Sequence, residues 1–240
     1  MLSAKRKSDG QIATAYLESK ANAPFVCLQC NEKVILKTGR GRVNHFAHAN
    51  PIACKFVTGE SETHRQCKME ICEALQKEAG VQNAALERSF ETVRPDVSEY
   101  INGVPVDIEV QISSLSLETI QQRTIDYARL GIYVLWLLQW MPALNAKRYT
   151  SRLWEKWIHA AYFGRIYYWI EGLKVVSYHF EPNFKAVPKS SWYPTPLTPC
   201  RMPPPGGFAT ISAVLFTQRT SWGSAQIYPL KIARTTLNPD

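Results

Sequence analysis

The chain has 240 residues, a formal net charge of +8 and 45% apolar residues. That balance excludes disorder of the whole and allows one large domain, or a core with a small appendage. The positive charge favours an anionic partner, nucleic acid or an acidic membrane surface. The longest apolar run, LGIYVLWLL at 130–138, is short of the roughly 20 residues that a bilayer crossing needs. The N-terminal stretch MLSAKRKSDGQ has charges but no apolar h-region, so the expectation is a cytoplasmic protein. Its six cysteines would then be reduced, and a Cys-x-x-Cys pair reads as metal-binding rather than disulfide-forming.

Residues 11–54 read as short strands and turns around CLQC and HFAH. Cys27 and Cys30 stand at knuckle spacing, and Cys54 with His48 completes four soft or borderline donors of the kind that hold Zn²⁺ in a tetrahedron; His45 is the substitute for either of the last two. Filled by protein ligands alone, such a site is structural and ties down a subdomain too small for its own core. Lys37, Arg40 and Arg42 lie nearby as candidate phosphate contacts.

The spacing of Met69, Cys72 and Leu75 predicts a helix over 61–79, capped by a Ser and ended by Gly80. Cys67 and Cys72 on it read as core thiols. A strand over 81–90 follows, then RPDVSEYINGVPVDIEVQIS at 94–113. Asn102-Gly103 between two alternating segments predicts a two-residue hairpin turn. Pairing Ile101 with Val104 places Ser98 opposite Asp107, and Asp96 opposite Glu109, with Gln111 two residues on. Two opposed acids repel each other, and a hard divalent cation offsets that repulsion.

An amphipathic helix over 116–131, with Leu117, Ile120, Thr124 and Tyr127 on one side, leads into the buried-type strand IYVLWLL. Strand, helix and strand make a parallel βαβ unit. SRLWEKWIHAAYFG predicts a third helix, and RIYYWIEGLKVVSYHF a second hairpin. The aromatics here, Trp154, Trp157, Tyr162, Tyr167, Tyr168, Trp169 and Trp192, suit either base stacking or, by preference for the helix and hairpin, a packed extension of the sheet. Eight of the 15 prolines fall between Pro182 and Pro205, which predicts a loop or extended arm, and Cys200 within it has no assignment.

RPD at 94–96 and EVQ at 109–111 resemble the PD-(D/E)xK nuclease superfamily. CLQC, HFAH, GESETHRQCK, RPDV, IEVQIS, RTIDYARLGIYVLWLL, GRIYYW and YHFEP, in that order, are similar to the competence protein CoiA-like family over roughly residues 11–182. The resemblance implies an α/β fold with a restriction-endonuclease-like mixed sheet flanked by helices. The expected domains are a zinc-binding subdomain at 1–57, a nuclease-like core at 58–140, and a C-terminal helix, hairpin and Pro-rich extension at 141–240.

It further implies a metal-dependent DNA nuclease, Mg²⁺ or Mn²⁺ held by Asp96 and Glu109, acting on single-stranded or branched DNA during competence or recombination. By motif, Gln111 takes the place of the usual lysine, and it cannot carry the positive charge. The acid of the first core helix corresponds best to Glu60, with Glu62 second; Glu60, His64 and Lys68 recur every four residues, and Lys68 could supply the missing cation. Arg123 and Tyr127 match the family's R...Y pattern, Arg123 as a phosphate contact or a prop for the metal site and Tyr127 equally as core. The rival expectations are an inactive DNA-binding accessory protein with a nuclease-like fold, and a zinc-dependent module that acts on a recombination protein.

Overall fold

The computed structural model describes residues 1–50, 54, 59–90, 92–146 and 149–180, and the backbone of 183–184, 199–200 and 208–210. The first sheet contains β1 (Ser3–Arg6), β2 (Ile12–Thr14), β3 (Phe25–Val26), β4 (Lys33–Lys37) and β5 (His45–His48), in the order β2-β1-β3-β4-β5. β1 lies outside the expected strand region. Its neighbours on one face are Phe25, Leu36 and Phe46, which with Ala4 and Cys27 make a small apolar cluster of their own.

Helix α1 (Glu62–Leu75) begins where expected, with the Ser61 hydroxyl accepting the His64 N–H at 3.2 Å. It ends four residues before the predicted 79, because Gln76–Gly80 turns back toward β6 (Val81–Leu86). β7 (Val97–Ile101) and β8 (Val104–Gln111) pair as the Asn-Gly turn requires, from Ile101 with Val104 to Ser98 with Asp107 and Val97 with Ile108. Asn102 and Gly103 both have positive φ, 49° and 78°, the backbone of the hairpin turn that matches strand twist.

After α2 (Leu117–Arg129), capped by Ser116, β9 (Tyr133–Gln139) runs parallel to β8. The βαβ expectation holds. Helix α3 (Leu153–Ala161) then returns the chain to β10 (Ile166–Glu171), which is parallel to β9, so a second crossover unit follows the first. β11 (Lys174–Tyr178) completes the hairpin and pairs outward with β14 (Phe208–Thr210). The short strands β12 (Asn183–Phe184) and β13 (Pro199–Cys200) pair with each other; the rest of the Pro-rich segment and Trp192 lie outside the described residues.

The larger sheet thus has the order β14-β11-β10-β9-β8-β7-β6 and mixed direction. α1 packs on β6, β7, β8 and β10, and α2 packs on β9 and α3. Tyr127, Leu135, Trp136, Ile158 and Tyr168 are almost wholly buried between these layers. Trp154, Tyr162, Tyr167 and Trp169 join the same core, so packing is their main service, with Trp169 also bordering a cleft. Among the described residues no helix is long and apolar enough to cross a membrane.

Tyr162 joins α3 to the middle of the sheet. Its hydroxyl accepts the Trp136 N–H at 2.7 Å and donates to the Val134 carbonyl at 3.1 Å. Tyr162→Phe orphans both buried backbone groups, so urea unfolding should show a loss of roughly 1–3 kcal/mol with an unchanged m-value. A loss below about 0.5 kcal/mol would contradict this role for the hydroxyl.

Candidate metal and active site

A cavity of about 500 Å³ opens beside the start of α1 and the ends of β7 and β8. Asp96, one residue before β7, is fixed on three sides. It accepts the Val110 N–H at 2.8 Å and stands 2.9 Å from His64 Nε2 and 3.5 Å from Lys68 Nζ. Burial pushes its carboxyl up, but His64 and Lys68 outweigh this and hold it well below the usual carboxylate range. It is therefore an anion throughout the working pH range.

Glu109 lies on the same cavity, 3% exposed. Its Oε1 accepts from Tyr127 and is ion-paired with Arg123, both on α2. Burial outweighs the pull of Arg123 and raises its carboxyl to about 7, with the charge of Asp96 adding to the rise. Arg123 in turn stays charged: burial opposes it, and Glu109 prevails. Tyr127 is fully buried, both core and prop for Glu109.

Glu60, His64 and Asp96 can present ligand atoms within 4.8 Å of one another. Glu109 is outside that group and approaches the cavity from the α2 side. Glu60 precedes α1 and meets His64 Nδ1 at 3.6 Å. Burial lowers the His64 imidazole, but Asp96 overrides it and the net direction is upward, which favours a protonated ring beside that carboxylate. Glu62 instead points away, pairing with Arg65 at 2.7 Å and accepting the Val43 N–H.

Lys68 is 2% exposed and is not part of the cavity wall. It lies behind the wall, ion-paired with Glu60, with Glu87 at 2.6 Å and with Asp96. Burial works against its charge, and Glu87, Asp96 and Glu60 together reverse that and keep it an ammonium. Gln111 does line the cavity, but its amide donates to the Ser113 carbonyl. Arg94 and Arg123 are the arginines on the cavity wall, and Arg123 is the one paired with Glu109. Sequence reasoning missed Glu87 entirely; it has no motif spacing, and only its burial reveals it.

Cys27, Cys30, His48 and Cys54 form the second group, again with ligand atoms within 4.8 Å. The two cysteines flank the turn between β3 and β4, where Asn31 at φ 57° closes the knuckle. His48 ends β5 opposite Val34, its Nε2 3.3 Å from Cys30 Sγ. Burial raises the Cys27 thiol, yet N–H groups of Cys30 and Gln29 at its sulfur bring the net shift downward, while burial, with Cys27 adding, pushes the Cys30 thiol up to about 11, so the thiolate is favoured at Cys27 alone of the pair. Three thiols and an imidazole suit structural zinc. His45, at the other end of β5, is outside the group and faces the Val43 carbonyl. Lys37, Arg40 and Arg42 are exposed and none lines the Asp96 cavity; Arg42 borders a second cleft of about 630 Å³ with Asn44, Gln66 and Trp169.

Residues 9–57 match the family model described as the competence protein CoiA N-terminal domain, and residues 60–163 that of the competence protein CoiA nuclease-like domain. Competence protein CoiA of Bacillus subtilis (strain 168) is 26% identical over 117 residues, covering 48% of this chain and 31% of that protein. The match thus spans under a third of the curated relative's length. No solved structure matches the chain.

The hairpin buries two more acids, Glu99 and Asp107, each 2% exposed, and among the described residues both Glu99 oxygens and Asp107 Oδ2 lack a hydrogen-bond partner. Burial, then the neighbouring Glu109, pushes Asp107 up to about 8. A carboxyl that binds its proton more tightly when folded contributes fully below its unfolded value, and that contribution is lost as pH rises through the folded value. Between about pH 5 and about pH 8.5 the wild type should therefore lose over about 1 kcal/mol more stability than Asp107→Asn, measured by urea unfolding. The same pH dependence in both chains would contradict the assignment.

Proposed function

The chain belongs to the CoiA-like family, and from that premise we propose that it is a metal-dependent deoxyribonuclease of the PD-(D/E)xK type. The observation that carries this reading is the convergence of Glu60, His64, Asp96 and Glu109 on one cavity. The proposed division is a zinc-binding subdomain at 1–57, a restriction-endonuclease-like core at 58–140 and an extension at 141–240.

Asp96 and Glu109 would hold Mg²⁺ or Mn²⁺, with Glu60 close enough to contribute. A bound cation of this kind supplies Lewis acidity at a phosphoryl oxygen and lowers the pKa of water. The chain's own groups complete the site. Asp96 stays ionised, and Glu109, near neutrality, is kept in place by Tyr127. Arg123, partly exposed on the cavity wall, faces the phosphate and stabilises developing charge, the part that Gln111 cannot play. DNA, single-stranded or branched, is the proposed substrate, in competence or recombination, and a recombination protein the proposed partner.

A second reading has its own observation. The Lys68 ammonium already neutralises the Asp96 and Glu60 carboxylates, which suits an inactive DNA-binding accessory protein. Labelled single-stranded, duplex and branched DNA with Mg²⁺ or Mn²⁺ separates the two. Cleavage should fall by at least about 10²-fold in both Asp96→Ala and Glu109→Ala, with DNA binding retained. Uncut DNA under every condition, with binding intact, would leave the accessory reading in its place.

Cys27, Cys30, His48 and Cys54 are proposed as a structural zinc centre. Metal analysis should find one zinc per chain, lost in Cys27→Ser together with a fall in thermal stability. Zinc content that is unaltered by Cys27→Ser would refute the ligand set.

A further inference from the structure

Glu87 follows the last residue of β6, is 1% exposed, and adopts a left-handed backbone with φ 51°. Few non-glycine residues take that conformation, and such strain persists only where the surroundings enforce it. Here they do. Its Oε2 accepts the Leu2 N–H at 2.9 Å and the Ser3 N–H at 3.2 Å, and its Oε1 meets Lys68 Nζ at 2.6 Å. Its own N–H donates to the Asp96 carbonyl at 3.1 Å, and Ser3 Oγ donates to the Leu86 carbonyl at 2.9 Å. One residue thus bonds the N-terminal segment and the buried ammonium through its carboxylate, and Asp96 of the cavity through its backbone N–H.

The charges decide what this does. The Lys68 ammonium is shared among three carboxylates, Glu60, Glu87 and Asp96, of which Glu60 also meets the Met1 ammonium, His64 and Arg65, and Asp96 also meets His64. Glu87 makes the contact with the most buried partner, and whatever fraction of the Lys68 charge it absorbs is not spent on Asp96 and Glu60. Resting on the metal-site reading above, we propose that Glu87 is a positioning residue: at 2.6 Å it competes for the Lys68 charge with Asp96, which stands at 3.5 Å, leaving Asp96 anionic enough for a divalent cation, and it is oriented by the backbone of Leu2 and Ser3. Metal affinity at the cavity is thereby tied to the docking of the N-terminal sheet.

Glu87→Gln keeps the shape and one acceptor but removes the charge. Calorimetric titration of the zinc-loaded, full-length chain with Mn²⁺ should show wild-type binding that Asp96→Asn abolishes, and at least about tenfold weaker binding in Glu87→Gln. Adding Lys68→Met to Glu87→Gln removes one charge of each sign and should restore affinity to within about threefold of wild type. A merely structural role would not be rescued by that second substitution. Unchanged Mn²⁺ affinity in Glu87→Gln, or no restoration in the double variant, overturns the role of Glu87 while the metal site stands. Wild type that takes up no Mn²⁺, or Asp96→Asn that binds normally, overturns the metal-site reading and this inference with it. Should Glu87→Gln fail to fold, the double variant alone decides: wild-type affinity supports the charge account, and weakened affinity refutes it.

Discussion

An ammonium cannot be buried without anions around it, because removing one charge from water costs several kcal/mol. Lys68 meets that requirement with three carboxylates drawn from separate parts of the chain: Glu60 before α1, Glu87 after β6, and Asp96 before β7. Neutralising this one group therefore fixes where the first helix sits against the hairpin. The same contacts hold Asp96 ionised at the edge of the cavity, so the stability of the core and the chemistry of the site share a single electrostatic arrangement.

The hairpin supplies the second half of that arrangement. Its register carries Asp107 and Glu109 on one side of β8, and parallel pairing of β8 with β9 brings α2 across so that Tyr127 and Arg123 meet Glu109. Two acids on one cavity thus have opposite surroundings. Asp96 is held as an anion by His64, Lys68 and a backbone N–H, whereas burial dominates at Glu109 and raises its carboxyl to about 7. Environments that push paired acids apart are the usual basis for different roles in one site.

Much of this was legible from residues because the signals were local. Asn102-Gly103 determines a turn and hence every pair from Ile101 with Val104 back to Val97 with Ile108, and Ser61 and Ser116 mark helix starts by a hydroxyl that accepts an N–H. Cys-x-x-Cys selected its own partners, although His45 and His48 were separable only once β5 placed them at opposite ends. Nonlocal features were hidden. Lys68 reads equally as a solvated helix face, and Glu87 as a charged residue near the end of the strand predicted over 81–90, until the fold buries both. The parallel pairing of β10 with β9 left no trace in periodicity, since the alternation in IYYWI fits either direction. Arg40 and Arg42 sit near the Cys/His cluster in sequence, but their loop runs to Glu62 and away from the Asp96 cavity.

The central claim is that a divalent cation binds in the cavity that Asp96 and Glu109 both line, with Lys68 remaining behind the wall. Anomalous diffraction from crystals soaked in Mn²⁺ tests it most directly. The account predicts a peak within coordination distance, about 2–2.5 Å, of an Asp96 carboxylate oxygen, inside the cavity bordered by Glu109 and Arg123, with Lys68 still paired to Glu87. A cavity without any anomalous peak, in crystals whose zinc peak at Cys27, Cys30, His48 and Cys54 is clear, would contradict it.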